Sequence, residues 1–180
     1  MVAQLSQNMN FVMDASVEEF LNLHAESRDV ALSPAHLTEI IAAANRLTGE
    51  PLSATHQLTE LSGGQSRALM IADTARLSAS PIILIDEIEN AGIDRHRAIE
   101  LLQGADKIVL VATHDPSLAL TAPRRLVLTN GGISEVRERT TAEEKLASRL
   151  TRLDALHAEL RAAIRGGESL GRFVDDERLP

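Results

Sequence analysis

Three short groups of residues in this chain have the types and spacing that phosphate chemistry uses. The first is Leu61-Ser62-Gly63-Gly64-Gln65. Ser62 can cap a helix, and the two glycines after it leave backbone amides uncovered where unpaired N–H groups and partial positive charge gather. Together with the Ser62 hydroxyl they make an anion site that a phosphate can approach closely. A capped helix after a flexible turn is the plainer reading of the same residues. The second group is Ile82-Ile83-Leu84-Ile85-Asp86-Glu87. An apolar strand here delivers two carboxylates at its C-terminal edge, where parallel sheets place ligands. Asp86 suits Mg²⁺ held through water, since this ion keeps much of its hydration. Glu87 suits the orientation or deprotonation of an attacking water. Two acids that simply begin a loop are the alternative. The third group, Thr113-His114-Asp115, follows the next apolar strand, and its imidazole could bond a phosphate or be an ordinary strand-end histidine. His114 lies 27 residues after Glu87, with one strand–helix–strand unit between them.

The elements that must position these groups are legible from pattern. Ile82–Ile85 is an unbroken apolar run, the expectation for a strand buried on both faces. Asp94 can cap a helix that ends near Gly104, and Ile108–Ala112 reads as a second buried strand. That succession predicts a parallel sheet with a right-handed crossover. The apolar residues 1–3 end at Gln4 and read as the last part of a further strand. Ser16 with Glu19 has capping-box spacing for a helix over 16–23. Ser33-Pro34 opens a helix that runs to Gly49, with Leu37, Ile40, Ile41, Ala44 and Leu47 on one stripe. A polar loop covers Pro51 to Glu60, and Ser62 caps a helix to about Leu77. Arg125–Thr129 and Ile133–Val136 flank Asn130-Gly131-Gly132, a hairpin signal. One long amphipathic helix spans Thr141 to about Ile164, with Leu146, Leu150, Leu153, Leu156, Leu160 and Ile164 as its apolar positions. Residues 166–180 are Gly-rich, then charged, and are expected to be disordered.

Composition excludes several classes. With 2% aromatics and no Trp or Tyr, the core of this 180-residue chain is aliphatic, and stacking of single-stranded nucleic acid is disfavoured. A net charge of −8 argues against sequence-independent binding of a phosphate backbone. No Cys is present, so disulfides and thiolate metal sites are excluded. No apolar run reaches the roughly 20 residues a bilayer span needs, and no signal-peptide pattern opens the chain.

At average residue frequencies each position of the pentapeptide matches by chance roughly once in 10 to 20. Leu61–Gln65 resembles the signature motif of the ATP-binding-cassette (ABC) ATPases. Ile82–Glu87 looks like that family's Walker B motif followed by its catalytic glutamate, and His114 resembles its switch histidine. Glu89-Asn90-Ala91-Gly92-Ile93-Asp94 occupies the place of its D-loop, one residue longer than usual, with Asp94 as the closing aspartate. Gln4, 57 residues before Leu61, fits the family's Q-loop glutamine better than Gln7 does. The motifs keep the family's order from Gln4 to about Val136. The resemblance implies a fold class: an α/β, partial P-loop NTPase of ABC type. Its parallel sheet would carry an inserted helical subdomain and a C-terminal helix. The implied bounds are 1–136 for the partial ATPase domain, with the helical subdomain at about 10–78, then 137–165 for the amphipathic helix and 166–180 for the tail. The implied catalytic residues are Glu87 and His114. The implied nucleotide contacts are Ser62, Gly63, Gly64, Gln65, Gln4 and Asp94. Asp86 and Gln4 are the implied metal ligands, and the cofactors are ATP and Mg²⁺. The other five histidines, at 24, 36, 56, 96 and 157, match no motif and read as surface residues.

No Gly-x-x-x-x-Gly-Lys-Ser/Thr loop, which cradles nucleotide phosphates, occurs in these 180 residues. In the family two cassettes pair head to tail, so the signature would face a nucleotide held by a second ABC subunit, in a homodimer or heterodimer. A separate chain or an adjoining segment would supply the phosphate loop, and the 180 residues alone are expected to be inactive. The resemblance leaves open a transporter motor acting on an integral membrane subunit, a soluble ABC ATPase acting on another macromolecule, and a non-catalytic interaction module. It implies a cytoplasmic place, peripheral at the inner face of the membrane in the transporter case. The long C-terminal helix is expected to pack on the domain or to self-associate.

Overall fold

The apolar runs pair in parallel. In the computed structural model, which describes residues 2–6, 10–88, 92–104 and 106–174, β1 (Val2–Leu5), β2 (Ile82–Asp86) and β3 (Ile108–Ala112) form one parallel sheet in that order. Gln4 pairs with Leu84, Leu84 with Leu110, and Asp86 with Ala112. Two compact units divide the chain, Met1–His114 and Asp115–Pro180.

In the first unit, α1 (Val17–Glu26), α2 (Pro34–Asn45) and α3 (Gly63–Arg76) lie between β1 and β2, and α4 (Arg95–Gln103) between β2 and β3. The expected caps are all in place. Ser16 and Glu19 close a reciprocal capping box, Ser33 accepts from the His36 amide, and Asp94 accepts from the Arg97 amide. Each such cap satisfies a helix-end donor that would otherwise be orphaned, worth about 1 kcal/mol. The stop of α2 differs from expectation. Arg46, not Gly49, is its C-cap. Thr48 leaves to bridge Ile93, and the Asn45 side chain bonds Leu52 on both sides, donating to its carbonyl (3.0 Å) and accepting from its amide (2.8 Å). Those side contacts outweigh continuation of the helix. α3 packs on α2, α4 and β1 through Ala68, Leu69, Ile71 and Ala72, all fully buried. With no aromatic ring among the buried residues described in this unit, the core is a close fit of Leu, Ile and Ala, including Leu21, Ile40, Leu58, Ile83 and Leu102.

The strands are not buried on both faces. Ile83 and Ile85 are buried, while Leu84 between them is exposed, and β3 alternates exposed with partly buried residues. An unbroken apolar run does not by itself say that both faces are covered; the layers around the sheet decide that.

The second unit opens with α5 (Pro116–Thr121), a helix the sequence reading did not anticipate, capped by Asp115. β4 (Arg124–Thr129) and β5 (Gly132–Glu138) form the expected antiparallel hairpin. Asn130 and Gly131 take φ of 52° and 78° at its turn. Positive φ at both central residues is the reason for that residue pair, since such turns match strand twist. α6 (Thr141–Arg165) starts at a capping box of Thr140 and Glu143, and Arg125 pairs with the same Glu143. α6 packs on α5, where the Ser117 hydroxyl donates to Asp154 at 2.6 Å. Leu156 is the buried centre of its stripe, whereas Leu146 and Ile164 at its ends stay exposed. Residues 166–174 are ordered where disorder was expected. The chain reverses at Gly167 (φ 67°), the Glu168 amide bonds the Ala163 carbonyl, and a short helical turn, Leu170–Phe173, follows. Phe173 then packs against Leu156, Ala163 and Leu160. One aromatic ring with an apolar seat is enough to order the segment. Residues 175–180 lie outside the described residues.

Candidate functional site

Four of the candidate residues gather at the C-terminal edge of the three-stranded sheet. Gln4 is inside β1 rather than at its end, because the strand continues to the buried Leu5. It is exposed, and its partner Leu84 is two residues before Asp86 on β2. Side chains two apart share a face, so Gln4 and Asp86 lie on the same face of the sheet. Gln7 lies outside the described residues.

Glu87 leaves β2 with φ of 49°, and its backbone N–H donates to the Ala112 carbonyl at 3.1 Å. A residue with a Cβ in this left-handed region costs about 1–2 kcal/mol relative to the right-handed one. The hydrogen bond to β3 and the buried Ile88 just after it hold that conformation. Strain of this kind at a polar sheet edge motivates a functional reading of the residue. His114 stands two residues beyond Ala112 and is exposed, so β2 and β3 bring it to the same edge as Glu87. Asp115, the third residue of that motif, accepts from the Ser117 amide (2.7 Å) and the Leu118 amide (3.3 Å) as the cap of α5.

Ser62 and Gln65 open α3 with a second capping box. The Ser62 hydroxyl accepts from the Gln65 amide at 3.3 Å, and the Gln65 side-chain oxygen accepts from the Ser62 amide at 2.9 Å. The Gln65 side chain also donates to the carbonyls of Glu50 (3.4 Å) and Pro51 (3.3 Å). It therefore fastens the helix start to the loop before it. Gly63 is exposed, and a Cβ built on it would meet nothing within 4 Å. This helix N-terminus is geometrically open to an anion. Gly92 (φ 67°) sits against Gly64, whose Cα is 3.7 Å from where a Gly92 Cβ would be. The Asp94 amide donates to the Leu47 carbonyl at 2.7 Å, and its carboxylate pairs with Arg97 at 3.3 Å. Asp94 is thus a structural cap whatever else it does. Glu89, Asn90 and Ala91 lie outside the described residues.

Among the described residues no cluster of three or more His, Asp or Glu could cage a metal. One carboxylate, Asp86, on the same sheet face as Gln4 suits a different ion habit. Mg²⁺ typically takes one or two protein ligands and completes its shell with waters and substrate phosphates.

One polar cluster was not foreseen. Asp73, in the last turn of α3, is 5% exposed and bonds His24 Nδ1 at 2.6 Å. Arg28 Nε bonds His24 Nε2 at 2.8 Å. Arginine can only donate, so Nε2 accepts and the proton sits on Nδ1, facing the carboxylate. His24 is therefore not a surface residue; it ties α1 to the helix that begins at Ser62. Nearby, Lys107 donates to the carbonyls of Ser78 and Ser80, just past α3. Burial, and then the Arg28 charge, hold its ammonium below the usual lysine range. The signal available in sequence was an acid on the helix's apolar face, with no partner identifiable before folding.

No family model matches the chain. It is 54% identical over 169 residues to an uncharacterised ABC transporter ATP-binding protein of Methanocaldococcus jannaschii, covering 94% of this chain and 64% of that protein. It is 34% identical over 101 residues to a macrolide export ATP-binding/permease protein of Rhodopseudomonas palustris, covering 53% of this chain and 15% of that protein. The chain therefore spans less than two thirds of the length of these relatives. Among solved structures, an ATP-binding subunit of an ABC transporter superposes with a TM-score of 0.61 at 22% identity, over 89% of this chain and 68% of that one. A dimeric, post-hydrolysis ATP-binding cassette bound to ADP and Pi superposes with a TM-score of 0.58 at 24% identity, over 77% and 63%. These two likenesses carry the fold.

Proposed function

We propose, from the premise that this chain belongs to the ABC-type ATPases in sequence and in its α/β fold, that it is the signature-bearing part of an ATPase working on a partner. The observation that carries this reading is the clustering of Gln4, Asp86, Glu87 and His114 at one sheet edge. The separate, open helix start at Gly63 supports it. Two phosphate-facing features on one unit suit a head-to-tail pair. One subunit's Ser62, Gly63 and Gly64 then face a nucleotide held by the other.

At the sheet edge, Glu87 orients and deprotonates the attacking water. His114 donates to the terminal phosphate. Gln4 touches the water or the ion and reports on the partner. Gln4 and Asp86 are the residues that would hold Mg²⁺, which when bound neutralises charge on the phosphates. Gln65 acts by holding the start of α3, and Asp94 by fixing the loop that ends beside Gly64. The phosphate loop comes from residues outside these 180, in a separate chain or an adjoining segment. The domain bounds read from the motifs, 1–136 with a helical subdomain at about 10–78, then 137–165, belong to this proposal.

The work is proposed to be transport. A shallow groove of about 370 Å³ runs from Gln4 and Leu5 past Phe11, Val12, Met13, Phe20 and Met70. Val12 is 97% exposed on its lip. This surface, on the helical region, suits an apolar helix of a membrane subunit. No helix among the described residues is long and apolar enough to cross a membrane; the proposed place is cytoplasmic and peripheral, beside such a subunit. A soluble ABC ATPase acting on another macromolecule, or a non-catalytic module, would use the same signature without that groove.

The test is ATP hydrolysis by the cassette completed with a phosphate-loop segment. Glu87→Gln is expected to lower turnover by at least about 100-fold, the scale of a lost general base, while ATP binding persists. The 180 residues alone should turn over no ATP. Unchanged turnover in Glu87→Gln would rule out the catalytic reading and leave the interaction module.

A further inference from the structure

Helix α6 has more apolar surface than its own unit covers, and its broad stripe resolves into two seams. Leu156 and Ala163, seven residues apart, are buried with Phe173. On the opposite flank Ala147 is buried, and Asp154 takes the Ser117 hydroxyl of α5. Between these two covered flanks run Leu146, Leu150, Leu153, His157, Leu160 and Ile164, at spacings of 4, 3, 4, 3 and 4. Leu146 is 47% exposed and Ile164 62%, His157 is exposed, and Leu150, Leu153 and Leu160 are half-buried. A repeat of 4 and 3 is the a/d seam of a coiled coil, with Leu146, Leu153 and Leu160 at d and Leu150, His157 and Ile164 at a. Counting Leu156 in place of His157 breaks the repeat. Only the packing of Leu156 on Phe173 separates the two seams.

We propose that this seam pairs in parallel with the same seam of a second copy of the chain. The pairing is independent of the ATPase reading, since the seam lies wholly within the second unit. Three features make it complementary to itself. Arg149, at a g position, faces the e position five residues on in the other copy, which is Asp154, and symmetry repeats the pair. A carboxylate has acceptor sites enough to take this guanidinium while it holds the Ser117 hydroxyl. His157 meets the partner's His157 in one layer, where one neutral imidazole donates and the other accepts. Against a purely apolar partner the ring nitrogens would lose water unpaired. A single polar residue at a fixes register and oligomer state at a cost in stability. Residues 115–180 also hold 11 cationic and 11 anionic side chains, so the net charge of −8 belongs to the rest of the chain and two copies of this unit do not repel through net charge. Antiparallel pairing with full overlap would set Leu146 against the partner's Ile164. It would also bring the two copies of Asp154 together at its centre, like charge against like.

Sedimentation equilibrium of the full 180-residue chain, carried up to millimolar protein, reads the association. A reversible dimer is expected, and a weak one, because Leu146–Ile164 is just under three heptads. Leu153→Lys should weaken it at least tenfold. His157→Leu should tighten it at least tenfold, by removing the polar layer. Leu23→Lys, on exposed α1 surface, should leave it unchanged. Circular dichroism of each variant checks folding. The chain has no Cys, so Leu146→Cys places one thiol on each copy. Mild oxidation should cross-link the parallel dimer through it, whereas antiparallel pairing holds the two thiols about 27 Å apart, far beyond disulfide reach. A chain that stays monomeric, or a dimer indifferent to both Leu153→Lys and His157→Leu, overturns the proposal. So does a dimer that Leu146→Cys does not cross-link. A monomer that binds phosphatidylglycerol vesicles, and loses them in Leu153→Lys, would make a membrane surface the occupant and overturn it too.

Discussion

Replacing His24 with Ala tests whether the cluster of His24, Asp73 and Arg28 holds α3 in place. Asp73 is 5% exposed, and the His24 ring that faces it keeps 23% of its side-chain surface in water. Removing one partner so that a buried polar group is left unpaired costs about 1–3 kcal/mol, more when that group is charged. Water can reach Asp73 through the space the partly exposed imidazole leaves, so the expected cost is about 2–3 kcal/mol. Asp73→Ala strands only an imidazole N–H within reach of water and should cost about 1–2 kcal/mol. Asp73→Asn keeps an acceptor oxygen toward Nδ1–H and should cost less than either. The double change His24→Ala with Asp73→Ala should fall short of additivity by about 1–2 kcal/mol, the mark of groups in direct contact. At about 2–4 °C per kcal/mol for a chain of this size, His24→Ala lowers the unfolding midpoint by about 4–12 °C. Denaturant unfolding at fixed pH measures all four variants. Strict additivity, or a His24→Ala effect within about 0.5 kcal/mol, the range of ordinary surface changes, would refute the reasoning.

Other expectations follow from single elements. Ser62→Ala removes the hydroxyl that caps α3 and should cost about 1 kcal/mol, read in the same unfolding assay. Leu156→Ala opens a void beside Ala163 and Phe173 and should cost about 2–5 kcal/mol, with faster hydrogen exchange over Leu170–Phe173. Glu143 is held down to a pKa of about 2, from a usual 4.5, chiefly by the Thr140 backbone amide and then by Arg125. Its folded pKa lies below its unfolded one, so its contribution is present above pH 4.5 and is lost as pH falls toward 2. Glu143→Gln should therefore lower the midpoint at neutral pH and converge with the parent protein in acid, as thermal scans across that range would record.

Much of the fold was determined by sequence alone, because its signals are local. Capping boxes at Ser16 and Ser62 need only residues three apart, and the Asn130-Gly131 turn needs only two residues that tolerate positive φ. Order along the chain also identified the strands of the parallel sheet and the residues at their ends. Tertiary structure alone decided the rest. An apolar run such as Ile82–Ile85 cannot reveal how many of its faces are covered, since that depends on which way each crossover steps. Phe173 carries no sign of its seat, because Leu156 and Ala163 come from a helix that has to turn back first. His24 and Asp73 are 49 residues apart, and nothing in either residue announces the other. The three candidate motifs were legible as words in the sequence. The sheet brings Gln4, Asp86, Glu87 and His114 to one edge, because parallel pairing aligns strand ends that are far apart along the chain.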